Sequence, residues 1–392
     1  CGFCLSHCPV YRAVGVEGSS PRGHNVHLRA LWEGAMEPST ELAAYLKECL
    51  LCGSCWANCF GGVRTHELVA AGRHGLTGRF GQPWGQGLFL RHVLSEPRRL
   101  SFFFRLLRLG ERHWPADWVR PLGAPAGSSP PLPASPLRDR LVEILKSGAE
   151  NPGPSLAYFL GCGMNHLLPE AGEATLRLLL ARGFRVQVPP VHCCGLPPYS
   201  LGDLRTAQAL ARRNLRRLSR LKVEAIVVDC AGCFSFLQGY PELLASEPEL
   251  AAEAASLAER VVELSAFFSS VGLPSARTSS PMLVTYHDPC HLRHHRGISA
   301  PPRSLIRSRE GIRYVEMPQP GLCCGGAGSY RLTHPRRSEQ ILERKLEGLV
   351  HSRAELLVTS CPACLIQLSH GVRRTGLPVE VLHLSQLLAR GV

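Results

Sequence analysis

The chain runs to 392 residues, room for two to three domains, and its 45% apolar and 19% charged residues mark a globular composition, not a disordered one. The formal charge of +13 is carried almost wholly by arginine, since only Lys47, Lys146, Lys222 and Lys345 are lysines. The arginines are spread along the chain and not gathered into a nucleic-acid-binding arm, so no nucleic-acid partner is expected, and no apolar run approaches the roughly 18 to 20 residues of a membrane-spanning helix.

Seventeen cysteines carry the signal. No signal peptide is visible and the spacings are tight, a pattern that reads as metal ligation in an intracellular protein and not as disulfides. Residues 1–80 hold seven of them. Cys49-x-x-Cys52-x-x-Cys55-x-x-x-Cys59 is a complete bacterial ferredoxin run, and Cys1-x-x-Cys4-x-x-x-Cys8-Pro9 is the same run lacking its first cysteine. In two-cluster ferredoxins the fourth cysteine of each run ligates the other cluster. Cys8, Cys49, Cys52 and Cys55 are therefore expected to hold one [4Fe–4S] cluster. Cys1, Cys4 and Cys59 are expected to hold a second, with its fourth ligand upstream of Cys1. Phe60 stands where a proline usually follows the run. Zinc is the alternative, although two interlocked runs exceed the four ligands it needs.

Residues 81–150 contain no cysteine. The stretch from Phe89 to Arg108 mixes Leu and Phe with Arg91, Arg98, Arg99, Arg105 and Arg108. It reads either as a basic amphipathic segment for a membrane or partner surface, or as a connecting helix packed on the C-terminal part of the chain. Pro121 to Pro136 reads as a linker.

From residue 154 the sequence repeats itself. Cys162, Cys193, Cys194, Cys230 and Cys233 match Cys290, Cys323, Cys324, Cys361 and Cys364 at offsets of 128, 130, 130, 131 and 131 residues. Such register marks a duplicated module, with the copies placed at 154–275 and 280–392. Short apolar runs at 156–160, 225–228, 283–286 and 356–359 precede the cysteines. They alternate with helical patterns at 173–182, 204–221 and 338–349. Alternation of this kind predicts an α/β fold with a parallel sheet in each module behind a small helical head. Ligands of parallel sheets bind beyond the carboxyl ends of the strands, so each set of five cysteines should meet at one sheet edge. Glycine after each pair, Gly195 and Gly325, permits a tight turn beside a bulky group. Iron–sulfur ligation, zinc, buried free thiols and a vicinal disulfide all stay open for the modules.

Several strings carry a resemblance. They are Phe159-Leu160-Gly161-Cys162, Val188-Pro189-Pro190, Ala231-Gly232-Cys233, His287-Asp288-Pro289-Cys290-His291 and Cys323-Cys324-Gly325-Gly326-Ala327-Gly328-Ser329-Tyr330. The double Cys-Cys-Gly module resembles the cysteine-rich domain of the heterodisulfide reductase and glycolate oxidase iron–sulfur families. A ferredoxin head followed by two such modules is similar to the glycolate oxidase iron–sulfur subunit. The resemblance implies an electron-transfer component of a flavin-dependent 2-hydroxyacid (glycolate or lactate) dehydrogenase, with a separate FAD-containing subunit as partner and a quinone or other acceptor. It implies two [4Fe–4S] clusters, with further clusters in the modules as an open question. The expected location is cytoplasmic, with a peripheral position on the inner face of the membrane as the alternative. Both modules keep all five cysteines, which also resembles heterodisulfide reductase subunits that act on disulfides. The iron–sulfur subunit of anaerobic glycerol-3-phosphate dehydrogenase is a further relative to weigh.

No G-x-G-x-x-G follows a strand, and no Walker loop or Ser/His/Asp signature is present, so flavin and nicotinamide are expected to bind elsewhere. No catalytic residue is assigned. Among the histidines near cysteines, His192, His287 and His291 are either potential-tuning neighbours of the sulfurs or solvated loop residues, and His294 and His295 are read as solvated. Arg212, Arg213, Arg216, Arg217 and Arg220 read as a solvated helix face or a docking surface for an acidic partner.

Overall fold

The computed structural model describes residues 1–113, 132–148, 150–275 and 281–392, so the linker read at Pro121 to Pro136 lies mostly outside the described residues. The first eighty residues are helical, as expected, with helices Phe3–His7, Pro9–Val14, Pro21–Trp32, Thr40–Leu46, Ser54–Ala57 and Thr65–Phe80. Local chemistry sets their starts. Ser20 accepts a hydrogen bond from Gly23 N, and Ser39 accepts one from Leu42 N, capping two helices in the manner serine favours. Leu28, Leu42, Leu46, Val69 and Leu76 form the head's small core. Gly72 is required there, because a Cβ would meet Leu28 Cδ2 at 2.5 Å.

Each module is a four-stranded, all-parallel sheet with helices between its strands. The first orders its strands β2-β1-β3-β4, with β1 Ser155–Tyr158, β2 Arg185–Gln187, β3 Ala225–Val228 and β4 Val261–Glu263. The second repeats that order as β6-β5-β7-β8, with β5 Met282–Tyr286, β6 Ile312–Tyr314, β7 Leu356–Thr359 and β8 Glu380–His383. The central strands are the apolar runs seen in the sequence. The edge strands β2 and β6 are three residues long and largely exposed or half-exposed, which is why their composition gives no apolar signal.

The modules pack about a pseudo-two-fold axis, with like elements meeting in exchanged pairs. Helix Pro169–Ala181 packs on Leu384–Leu388, and its counterpart Ala300–Arg307 packs on Leu264–Val271. Val227, Phe268, Tyr286, Ile306, Val358 and Leu387 share one core between the two sheets. Ala231 N donates to Ser360 O at 2.9 Å, and Ser385 Oγ donates to Ala171 O at 2.7 Å across the same boundary.

The Phe89-to-Arg108 stretch packs on the first module, in agreement with the connecting-helix reading. Leu90, Leu94 and Leu100 enter that module's core, while Phe102, Leu106 and Leu109 of helix Pro97–His113 face outward. No helix among the described residues is long and apolar enough to cross a membrane. The arginine face is largely solvated, as one of its two readings has it: Arg213, Arg216, Arg217 and Arg220 are exposed and only Arg212 is half-buried. Within the chain Arg212 pairs with Glu247, Arg213 with Glu96, and Arg217 donates to Pro190 O.

Candidate metal centres

In the head, Cys8 ends one short helix and caps the next, with Pro9 at its first position, so the Tyr11 N–H points at Cys8 Sγ at 3.4 Å. The Cys49–Cys55 loop turns through left-handed Leu51 (φ 53°) and Gly53 (φ 73°), and Leu51 N–H points at Cys49 Sγ at 3.4 Å. These turns aim Cys8, Cys49, Cys52 and Cys55 into one cavity, also lined by His24, Thr65 and His66. Both ring nitrogens of buried His24 lack a hydrogen-bond partner among the described residues, as does Nδ1 of His66. Unpaired buried polar atoms cost about 1–3 kcal/mol each, so they mark a space built for something polar or charged. Beneath the loop lies buried Arg73, which donates to Leu46 O, Cys49 O and Ser200 O and supplies positive charge under the thiols. Burial pushes the bare Cys8 and Cys55 thiols up to about 12, so metal uptake here must release protons. Four soft, buried sulfurs around one cavity fit a [4Fe–4S] cluster.

Cys1 is exposed and Cys4 and Cys59 are half-buried, at the end of the head where helix Phe3–His7 packs on Ser54–Ala57. Phe60 packs there on Phe3 with ring centroids 4.8 Å apart.

Each module brings its five cysteines together beyond the carboxyl ends of its strands. Cys162 follows β1, Cys193 and Cys194 follow β2, and Cys230 and Cys233 follow β3; β1 and β3 are neighbours, the switch point at which such sheets bind ligands. Gly195 and Gly325 hold left-handed φ of 103° and 82°, turning the chain back immediately after each pair. The thiols interact in a continuous series. Cys162, Cys193, Cys194, Cys233 and Cys230 are linked in that order, and Cys290, Cys323, Cys324, Cys364 and Cys361 likewise. Cys230 also interacts with Cys361, so the two sets join at the pseudo-two-fold axis. Hydrogen bonds from Cys193 and Cys233 hold Cys194 down to about 5, and Cys324 is held well below its usual value by Cys323 and Cys364. Hydrogen bonding from its neighbours thus favours the thiolate, the form that ligates metal, at the second cysteine of each pair. No disulfide is present among the described residues.

The head is seated on the second module. Cys52 interacts with Cys323 and Cys290, and Cys8, Leu50 and Cys52 share a core with Tyr330 and Ile341. Arg337 pairs with Glu48 at 2.6 Å. His295 lies close to Leu51 O at 3.2 Å, and a Cβ on Gly53 would meet His295 Nε2 at 2.7 Å. His294 lies 3.3 Å from Gly321 O. The solvated reading of His294 and His295 is therefore corrected: both lie on helix Cys290–Arg296, which packs against helix Ser54–Ala57 of the head. His192 is also turned from the sulfurs, its Nδ1 lying 3.0 Å from Ser95 O. His291 Nδ1 does face Cys290 Sγ, at 3.5 Å.

Two residues beside the second module's sulfurs stand out. His287 is 1% exposed, and its nearest ring nitrogen and the Sγ atoms of Cys324 and Cys364 all lie within 4.8 Å of one another. Lys345, equally buried, donates to Gln319 O at 3.2 Å and Pro320 O at 2.8 Å, with Cys324, Cys364 and Cys323 in its field. Burial pulls its ammonium down to about 8. Arg73, His24 and Lys345 escape sequence reasoning; the one available signal is a lysine kept in a chain that otherwise uses arginine.

Known proteins share both the sequence pattern and the fold. Residues 1–63 match the 4Fe-4S dicluster domain, and residues 156–238 and 284–369 each match the cysteine-rich domain. The chain is 30% identical to the probable glycolate oxidase iron–sulfur subunit of Bacillus subtilis, over 99% of this chain and 92% of that protein. It is 28% identical to the glycolate oxidase iron–sulfur subunit of Escherichia coli, over 95% and 89%. Lactate utilization protein A of an Exiguobacterium species is 29% identical over 61% of this chain and 98% of its own. A hypothetical protein from Helicobacter pylori shares the fold, with a TM-score of 0.57 at 11% identity, covering 93% of this chain and 66% of that one. The chain belongs to the glycolate oxidase iron–sulfur subunit family and is an iron–sulfur oxidoreductase component.

Proposed function

We propose that this family member is the electron-transfer subunit of a flavin-dependent 2-hydroxyacid dehydrogenase, with glycolate or lactate as the acid and an FAD-containing subunit as the electron donor. The acceptor is a quinone or another oxidant, reached from the cytoplasmic side. The relatives' names support the substrate class. The observation that carries the reading is that the head's Cys8 and Cys52 share one buried core with Cys323, with Cys290 packed against it, and that the cysteine sets of the two modules meet at Cys361 and Cys230.

Cys8, Cys49, Cys52 and Cys55 would hold one [4Fe–4S] cluster, and Cys1, Cys4 and Cys59 would contribute to a second. The ten module cysteines would hold further metal. Bound there, iron–sulfur clusters supply one-electron transfer between the flavin and the acceptor. The protein's own residues do the rest. Burial keeps water from Cys8, Cys52, Cys55 and the two adjacent cysteine pairs, Arg73 and Lys345 offset thiolate charge, and the Glu48–Arg337 pair and shared core fix the head on the second module.

The test is anaerobic co-purification with the neighbouring flavoprotein, followed by addition of glycolate or lactate. The reading expects cluster EPR signals to appear on addition of the acid, and fails if the acid reduces the flavin while the clusters stay oxidised. A second reading, disulfide reduction at the second module, is favoured by the complete five-cysteine sets. Disulfide reduction that survives Cys324→Ala would sink it.

A further inference from the structure

We propose that His287 is a nitrogen ligand of the metal centre held by the second module, so that the two modules carry centres of different donor sets. The inference rests on reading the module cysteines as metal ligands, and it adds a residue outside the cysteine pattern.

The two copies can be superimposed residue by residue at this point. Phe159 N donates to Val227 O at 3.0 Å, extending β1 along β3; His287 N donates to Val358 O at 2.9 Å, extending β5 along β7. The two residues therefore leave equivalent strand ends with equivalent backbone direction, three residues before the first cysteine of each set. In the first copy the position holds the fully buried ring of Phe159, which packs in the apolar core with Cys193, Cys194 and Cys233. In the second copy the same buried space receives an imidazole.

That imidazole is not satisfied by the protein. Neither ring nitrogen makes a hydrogen bond among the described residues, although the residue is 1% exposed. One ring nitrogen and the sulfurs of Cys324 and Cys364 lie mutually within 4.8 Å, a span that a single metal ion can bridge. Imidazole and thiolate together suit iron and zinc alike. In Rieske centres histidine in place of cysteine raises the potential of an iron–sulfur site, so the second module should be the more easily reduced of the two.

The experiment uses the full chain, purified anaerobically with natural-abundance and with 15N-labelled histidine, and reads the reduced second-module signal by pulsed EPR. That signal is assigned by its loss in Cys324→Ala. The inference expects a strongly coupled nitrogen that changes from the 14N to the 15N pattern on labelling. It also expects that coupling to vanish in His287→Phe, a change the first copy shows to be compatible with the fold, together with a lower potential for this signal and unchanged head signals. A second-module signal without strongly coupled nitrogen, or a coupling that persists in His287→Phe, overturns the ligand assignment alone. Modules without any metal overturn it together with the reading on which it rests.

Discussion

The two modules share strand order, cysteine register and the turn after each cysteine pair, yet their buried surroundings differ at matched positions. Where the first has Phe159, Asn214, Asp229 and Glu263, the second has His287, Lys345, Ser360 and His383. At these positions two carboxyls, an amide and a phenyl ring of the first copy give way to a serine, an ammonium and two imidazoles in the second. Tyr158 donates to Asp229 at 2.6 Å, whereas its counterpart Tyr286 donates to Ser360 at 2.9 Å. Asn214 donates to Cys193 O at 3.0 Å, and Lys345 holds the Pro320 carbonyl in the corresponding helix. The duplicated scaffold sets where sulfur goes; the side chains behind it set the charge that sulfur sees. A cationic neighbour favours the reduced, more negative state of a cluster, so Lys345 is expected to raise the potential of a cluster bound in the second module.

The sharpest way to break the comparison is to remove one thiolate from each copy. Cys194→Ala and Cys324→Ala should each strip the metal of one module and leave the head loaded, read as iron per chain. Of the two, Cys324→Ala should cost the larger share of flavoprotein-to-acceptor transfer, about 100-fold or more, since even outer partners of metal ligands cost 10- to 100-fold.

The pH dependence should differ in sign between the copies. Burial raises Glu263 from the ordinary carboxylate value of 4.5 to about 7. Its contribution to stability is complete below the unfolded value and is lost as pH rises through about 7, a span of roughly 3 kcal/mol. Burial lowers His383 from 6.5 to about 4, so its contribution is complete above 6.5 and is lost as pH falls through about 4. Denaturant melts across pH should show Glu263→Gln flattening the alkaline limb and His383→Gln the acid limb. Equal effects of both on the same limb would remove the contrast.

Lys345→Met should lower the potential of the second module's signal by tens of millivolts, about 59 mV for each 1.4 kcal/mol lost, and leave the first module's unchanged in a redox titration. The smallest effect is expected from Arg337→Ala. Breaking its 2.6 Å pair with Glu48 should loosen the head by about 1 kcal/mol, seen as faster hydrogen exchange in helix Pro9–Val14 with module exchange unaltered.

Much of this architecture can be read from residue spacing. The central strands are apolar enough to announce themselves, and the offsets near 130 residues reveal the duplication before any fold is known. The edge strands Arg185–Gln187 and Ile312–Tyr314 are not legible, because three exposed or half-exposed residues carry no period. The cysteines are conspicuous by spacing. Which of them meet across the axis, Cys230 with Cys361, depends on how the modules pack and lies beyond any local pattern. His294 and His295 mislead for a related reason. A polar run after Cys290 looks solvated until the head, some 240 residues away in the chain, is seated on it. His287 is one of five histidines weighed beside cysteines, and burial and the lack of a hydrogen-bond partner are what separate it from His192.

The central claim, that clusters sit in the modules as well as in the head, is tested most directly by metal and acid-labile sulfide analysis of the full chain purified without oxygen, with iron and zinc counted together. Iron and sulfide should exceed the roughly eight of each that two cubanes contain, the excess falling in Cys194→Ala and again in Cys324→Ala, with little zinc. Stoichiometric zinc in modules that carry no iron would contradict the claim, leaving a ferredoxin head on a zinc-bound scaffold.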